Sequence, residues 1–288
     1  MPGPIIVGGI GGSGTRILAE ILKQLNYFMG NDLNESLDNL AYTLLFKRKK
    51  WFYKNSNNRL ALSRGLGILE KSMTRYGYFS FPDLIFLLRA TISMSMHGQN
   101  KQRDGTGKWP LKRILKIIHS SGTNLRQYRG WGWKEPNSHL LLPVMIDFFP
   151  QMKYIHLMRH GLDMAYSNNQ QQLYNWGPLY DIALPKTNKD IPEASFRYWS
   201  SVHTNLLHII ESKGSEKILI LNYNKMCLEP RTEITKLLTF LGINQNEADI
   251  DMLVKIPAIN TSTGRYKTKT INWITKDDIL LLQQLGFE

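Results

Sequence analysis

Pro4-Ile5-Ile6-Val7-Gly8-Gly9-Ile10-Gly11-Gly12-Ser13-Gly14-Thr15-Arg16 is the stretch that decides the fold. A β-branched run ends in a glycine-rich turn. Ile17, Leu18, Ile21, Leu22 and Leu25 then recur at helical spacing, so strand, loop and helix follow one another directly. Glycines let successive N–H groups curl into one concavity. The first N–H groups of a helix have no internal partner, and the helix dipole adds partial positive charge there. Ser13 and Thr15 add hydroxyls, and Arg16 adds a permanent cation. The stretch reads as a cradle for a phosphate or sulfate.

Three kinds of glycine loop compete for it. A nucleoside triphosphatase loop ends in Gly-Lys-Ser/Thr, whereas Gly14 is followed by Thr15-Arg16 and no lysine is present. Gly9-Ile10-Gly11-Gly12-Ser13-Gly14 satisfies the dinucleotide pattern, with Asp32 near the expected acidic position. A glycine-rich turn without a ligand is the third reading. The loop alone implies an anion site and no reaction.

Outward from the loop, 288 residues suffice for a large core. The expected architecture is α/β: a central parallel sheet flanked by helices, P-loop-like, in a single domain spanning 1–288. A net charge of +13 calls for an acidic partner: an anionic cofactor, an acidic acceptor, a membrane surface or nucleic acid. Cys227 is the only cysteine, which excludes an internal disulfide and fits a reducing compartment. The glycine-loop strand begins almost at once, leaving no room for a signal peptide. The apolar run at 84–88 is cut by Arg89 and is too short to span a bilayer. A cytoplasmic protein is expected.

Tyr27-Phe28-Met29-Gly30 reads as a second strand, followed by Asp32, Glu35 and Asp38. Carboxylates just past a parallel strand stand at the ligand edge, so all three are candidate general bases; Asp32 is preferred. Helix capping is the competing reading for Glu35 and Asp38. From about 36 to 124 the pattern is helical, a helical insertion of the kind that shapes an acceptor pocket. Its His97–Trp109 segment reads as a mobile loop. Lys47-Arg48-Lys49-Lys50 beside Trp51, Phe52 and Tyr53 reads as a solvated helix end, with a grip on an acidic glycan, a membrane or RNA as the alternative.

Gly130-Trp131-Gly132-Trp133-Lys134 alternates as a strand, and Pro136 starts a helix over Asn137–Phe149, which sets Lys134 at the ligand edge. Lys153-Tyr154-Ile155-His156-Leu157-Met158 is a buried strand ending in Arg159. The following helix puts Asp163 and Ser167 on one face. Arginine's fork suits a second tetrahedral anion, and Ser167 can donate to the same group. Arg159 bound to carbonyls or to Asp163 is the competing structural reading. His139 and His160 are left out of the site, since a histidine in a helix or turn is more often structural. No His/Cys/Asp cluster has metal-ligand spacing, and no metal is needed.

With these motifs in view, the chain resembles the sulfotransferases that use 3'-phosphoadenosine 5'-phosphosulfate. Ser13-Gly14-Thr15 is similar to their modified P-loop, which receives the 5'-phosphosulfate. Arg159 and Ser167 match the strand-end arginine and helix serine that hold the 3'-phosphate. Lys134-Glu135-Pro136 is similar to their Lys-x-Pro step. The stretch from Ile218 to Lys225, followed by Leu237–Gly242, resembles their strand and helix near the C-terminus, and Thr263-Gly264-Arg265-Tyr266 resembles their closing loop. The resemblance implies a cofactor site of Gly11, Gly12, Ser13, Gly14, Thr15, Arg16, Arg159, Ser167, Tyr223, Gly264 and Arg265. By analogy with phosphoryl transfer, Lys134 and Arg16 are the expected charge stabilisers, and Asp32, at the ligand edge, is the expected base. Most relatives carry lysine or arginine before Ser-Gly-Thr, where this chain has Gly12; Lys134 and Arg16 are the nearest substitutes. The expected reaction is sulfuryl transfer to a hydroxyl or amine on a small-molecule, glycan or lipid acceptor, with no nucleic acid partner. A P-loop phosphotransferase and a non-catalytic nucleotide- or polyanion-binding module are the alternatives. An oxidoreductase ranks last, because it leaves Arg159 and Ser167 idle.

Overall fold

A computed structural model describes residues 3–74, 77–97, 108–119, 124–258 and 262–287. Five strands, β1 (Ile5–Gly9), β2 (Tyr27–Phe28), β3 (Gly130–Lys134), β4 (Lys153–Met158) and β5 (Ile218–Asn222), form a parallel sheet in the order β2-β3-β1-β4-β5. All five residues of β1 are buried, as a continuous β-branched and glycine run requires in a sheet covered on both faces. The chain divides into two compact units, one of residues up to Ile6 with Leu22–Met152, the other of Val7–Ile21 with Lys153–Glu288.

In the first unit Tyr27 pairs with Gly130 and Phe28 with Trp131. Helices α2 (Leu40–Phe46), α3 (Lys49–Asn55), α4 (Arg59–Thr74), α5 (Phe81–His97) and α6 (Lys108–Ile118) fall inside the stretch expected to be helical. The unit ends with α7 (Leu142–Phe148). Every residue of α2 is buried, and the helix packs against α4, α5 and α6. Asn39 starts it by accepting from the Tyr42 N–H at 2.9 Å. Two readings need correction. The expected helix over Asn137–Phe149 is split into a 3-10 segment, Pro136–Leu141, and α7. Pro143, in the first turn of α7, has no N–H to continue an α ladder from the preceding turn. In the basic run, Arg48 is 3% exposed, donates to the Leu45 carbonyl at 2.8 Å and lies 4.1 Å from the Trp51 ring centre. Burial pulls its pKa down to about 9, so this member of the run is no solvated helix end. Of the expected mobile loop, 98–107 lies outside the described residues, and Trp109 already belongs to α6.

The second unit takes the start of α1 (Arg16–Gln24), then α8 (Gly161–Ala165), α9 (Gln171–Trp176), α10 (Ile191–Lys213), α11 (Tyr223–Leu228), α12 (Pro230–Leu241), α13 (Ile250–Leu253) and α14 (Lys276–Gln284). The β4–β5 register runs from Tyr154 opposite Ile218 to Met158 opposite Asn222. Arg159 and Tyr223, one residue further on, are thereby brought side by side. The helix after Arg159 is shorter than expected. α8 stops at Ala165 because the Gln170 amide donates to the carbonyls of Met164 (3.1 Å), Ala165 (3.0 Å) and Ser167 (2.7 Å). Ser167 is therefore not on a helical face with Asp163. Among the described residues no helix is long and apolar enough to cross a membrane.

Candidate active site

The glycine loop turns within the second unit by two left-handed steps, φ +97° at Gly12 and +90° at Gly14. A side chain at Gly14 is barred twice over, since its Cβ would stand 2.4 Å from Tyr223 Cδ2. The turn closes with the Ser13 N–H donating to the Ile10 carbonyl at 2.9 Å. Ser13 and Thr15 are buried, and the Ser13 hydroxyl oxygen has no hydrogen-bond partner among the described residues. Arg16 points outward and pairs with Glu20 at 2.8 Å, a surface contact across one helical turn.

Arg159 meets this loop. Its guanidinium reaches the Gly12 carbonyl at 3.5 Å, the Ser262 hydroxyl at 2.9 Å and the Thr263 hydroxyl at 3.4 Å, and it sits 4.9 Å from the Tyr223 ring centre. The Trp199 indole fixes the backbone by donating to the Arg159 carbonyl at 3.0 Å. Asp163 accepts from the Gly264 N–H at 3.0 Å and stands 3.9 Å from Arg159 Nε, tying the 262–265 turn to the start of α8. Gly12, Gly14, Arg159, Tyr223 and Gly264 are thus joined through direct contacts. Burial, then the nearby Arg159, lowers the Arg265 pKa, while burial pushes the Tyr223 phenol up to about 12. Among the described residues Asp163 is the one carboxylate acting on both Arg159 and Arg265, which leaves a surplus of positive charge.

The orphaned polar atoms show what would fit. Ser13 Oγ and Arg159 Nε are buried donors without hydrogen-bond partners. Burying such groups unpaired is costly. Bound anionic groups would relieve them and the charge surplus, so the residues present fit the phosphates of a nucleotide or phosphosulfate. Ser167 makes a different contact, accepting from the Asn169 N–H at 3.3 Å.

Two of the expected site residues, Lys134 and Asp32, belong to the first unit. Lys134 is 3% exposed; its ammonium forms an ion pair with Asp38 and donates to the Ser36 carbonyl at 2.9 Å. Glu135 is fully buried, takes the Asn137 amide at 2.8 Å and lies 3.3 Å from Lys47, and burial raises its pKa. Asp32 receives Arg113 on both oxygens, at 2.9 and 3.0 Å, and Lys116 on one at 2.6 Å. It borders a cavity of about 760 Å³ beside α6. Among the described residues no group of three or more His, Cys, Asp or Glu is arranged to hold a metal ion.

Sequence reasoning missed the Asp38–Lys134 pair, the Asp163–Gly264 anchor and the contact of Ser262 with Arg159. Nothing in local spacing announces partners about a hundred residues apart. The hydroxyl pair Ser262-Thr263 beside Gly264-Arg265 was the one available signal.

A five-stranded parallel sheet flanked by helices, with a glycine loop after its first strand, defines an α/β protein of P-loop-like fold. The sequence profile of the sulfotransferase family matches residues 4–247, and the chain belongs to that family. No curated protein sequence is a significant match. Among solved structures, the sulfotransferase domain from the curacin biosynthetic pathway aligns with a TM-score of 0.52 at 15% identity, covering 100% of this chain and 99% of that one. The sulfotransferase domain of the Synechococcus PCC 7002 olefin synthase gives 0.49 at 13% identity, covering 100% and 97%. Sulfotransferase STF9 from Mycobacterium avium gives 0.46 at 15%, covering 100% and 78%. At these identities the first likeness speaks for the fold alone.

Proposed function

We propose that the protein transfers a sulfuryl group from 3'-phosphoadenosine 5'-phosphosulfate to a hydroxyl or amine acceptor. One observation carries the reading: the Ser13 loop and Arg159, two buried donors without complete partners, stand together in the second unit. In this reading Gly11, Gly12, Ser13, Gly14, Thr15 and Arg16 hold the phosphosulfate end. Arg159 and Ser167 hold the 3'-phosphate. Tyr223, Gly264 and Arg265 close over the nucleotide, with Asp163 positioning Gly264. The phosphosulfate supplies the activated sulfuryl group.

The protein's part is positioning and charge stabilisation, as in phosphoryl transfer. Backbone N–H groups of the loop and Lys134 act on the negative charge that grows on the departing phosphate oxygen, where loss of one donor costs about a hundredfold; Arg16 joins them only by turning inward from its surface pair with Glu20. Asp38 and the Ser36 carbonyl hold the Lys134 ammonium in place. Asp32 takes the acceptor's proton, which requires it to release one of the cations that now hold it. A single free cysteine suits a cytoplasmic enzyme, and the acceptor is a small molecule, glycan or lipid.

The test is turnover with sulfur-labelled phosphosulfate across a panel of alcohols, phenols, amines and sugars. Labelled acceptor and released adenosine 3',5'-bisphosphate are expected. Bisphosphate binding without transfer to any acceptor would make the chain a binding module; turnover of magnesium-ATP with no phosphosulfate binding would make it a phosphotransferase.

A further inference from the structure

The cavity beside α6 is built from two chemistries. Met73, Leu111 and Leu115 give it apolar walls, and Leu111 and Leu115 are 54% and 55% exposed, long apolar side chains left facing water. Lys108, Lys112 and Lys116 line the same space. Four residues apart, they form one row along the helix. Asp32 answers Lys116 and Arg113, while Lys108 and Lys112 have no carboxylate partner among the described residues. At about 760 Å³ the space is of the size that holds a small organic ligand. The neighbouring helix α5 packs on α6 and turns Leu84, Leu88, Ile92 and Met96 to solvent, so apolar surface is also present next door.

We propose that this cavity binds an amphiphile: an apolar chain laid against Met73, Leu111 and Leu115, ending in a carboxylate or phosphate held by Lys108 and Lys112. Neither half of the site explains the other. Lysines with no carboxylate partner among the described residues alone suit any anion, and exposed leucines alone suit any apolar surface; together they select a molecule that has both ends. The inference leans on the sulfotransferase reading only in making this ligand the acceptor, through a hydroxyl it carries. Its binding stands apart from that reading.

Calorimetry with ω-hydroxylaurate and with its neutral methyl ester tests the claim, each titrated against wild-type protein, Lys112→Gln and Leu115→Ser. The acid is expected to bind about tenfold more tightly than the ester. Lys112→Gln is expected to erase that preference while leaving the ester unchanged, and Leu115→Ser to weaken both. Both positions are exposed, so circular dichroism should report an unchanged fold. Flotation with vesicles of phosphatidylcholine, with and without phosphatidylglycerol, separates a lipid source from a free one: capture only by the anionic vesicles, lost in Lys112→Gln, supports a bilayer-derived amphiphile. Equal affinity for acid and ester, or no response to Lys112→Gln in either arm, overturns the proposal. Binding of adenosine 3',5'-bisphosphate, measured on the same samples, reports on the donor site separately.

Discussion

Gly12 and Gly14 have the same backbone hand and different surroundings, and that difference can be measured. A Cβ at Gly12 would meet only Met164 Cε, at 3.5 Å, so space exists for a side chain and only φ +97° opposes it. Gly12→Lys, which places a cation before Ser13, is expected to cost about 1–2 kcal/mol in urea unfolding and to leave bisphosphate binding in place. Gly14→Ala adds a collision with Tyr223 to the same strain. Its expected cost is about 2–4 kcal/mol, with bisphosphate binding lost because the loop or Tyr223 must move. At this scale Ser13, Gly14 and Arg159 were legible, because loop chemistry and strand ends leave local marks. Asp163 as the anchor of Gly264 was not, since that contact exists only after folding.

Elements were legible wherever periodicity ran long. α4, α5 and α6 follow their apolar stripes, and all five strands fall on expected runs. The misreadings sit where one side chain ends an element: Pro143 divides the helix after β3, and the Gln170 amide stops α8 short of Ser167. α14 offers a test of such end effects. Thr275 and Asp278 form a reciprocal cap, with the Thr275 N–H donating to Asp278 at 2.8 Å, and the same carboxylate pairs with Arg197 of α10. Burial by itself raises the Asp278 pKa, but the Thr275 N–H and Arg197 outweigh it, so the net shift is downward from 3.8. A depressed carboxylate pKa adds stability that is present above pH 3.8 and is lost as pH falls through the lowered value. Asp278→Asn is expected to lower stability by about 1–2 kcal/mol at neutral pH. The difference from wild type should shrink in acid, read by thermal unfolding from neutral pH to about 3. A gap that widens on acidification would contradict this assignment.

For the whole chain, composition placed the protein in a class and no further. A net charge of +13 called for an anion, and the structure concentrates two separate answers to it: the Arg159 cluster of the second unit and the lysine row of α6 in the first. Sheet order and the cavity beside α6 were not legible, because both depend on which distant segments meet. The central claim is that Arg159 serves the 3'-phosphate while the Ser13 loop serves the 5' end. Calorimetry of adenosine 3',5'-bisphosphate and adenosine 5'-phosphate against wild-type protein and Arg159→Ala tests it most directly. The account predicts that the variant loses about tenfold to a hundredfold in affinity for the bisphosphate and keeps its affinity for the 5'-phosphate. An equal loss for both nucleotides, or none for either, would contradict it.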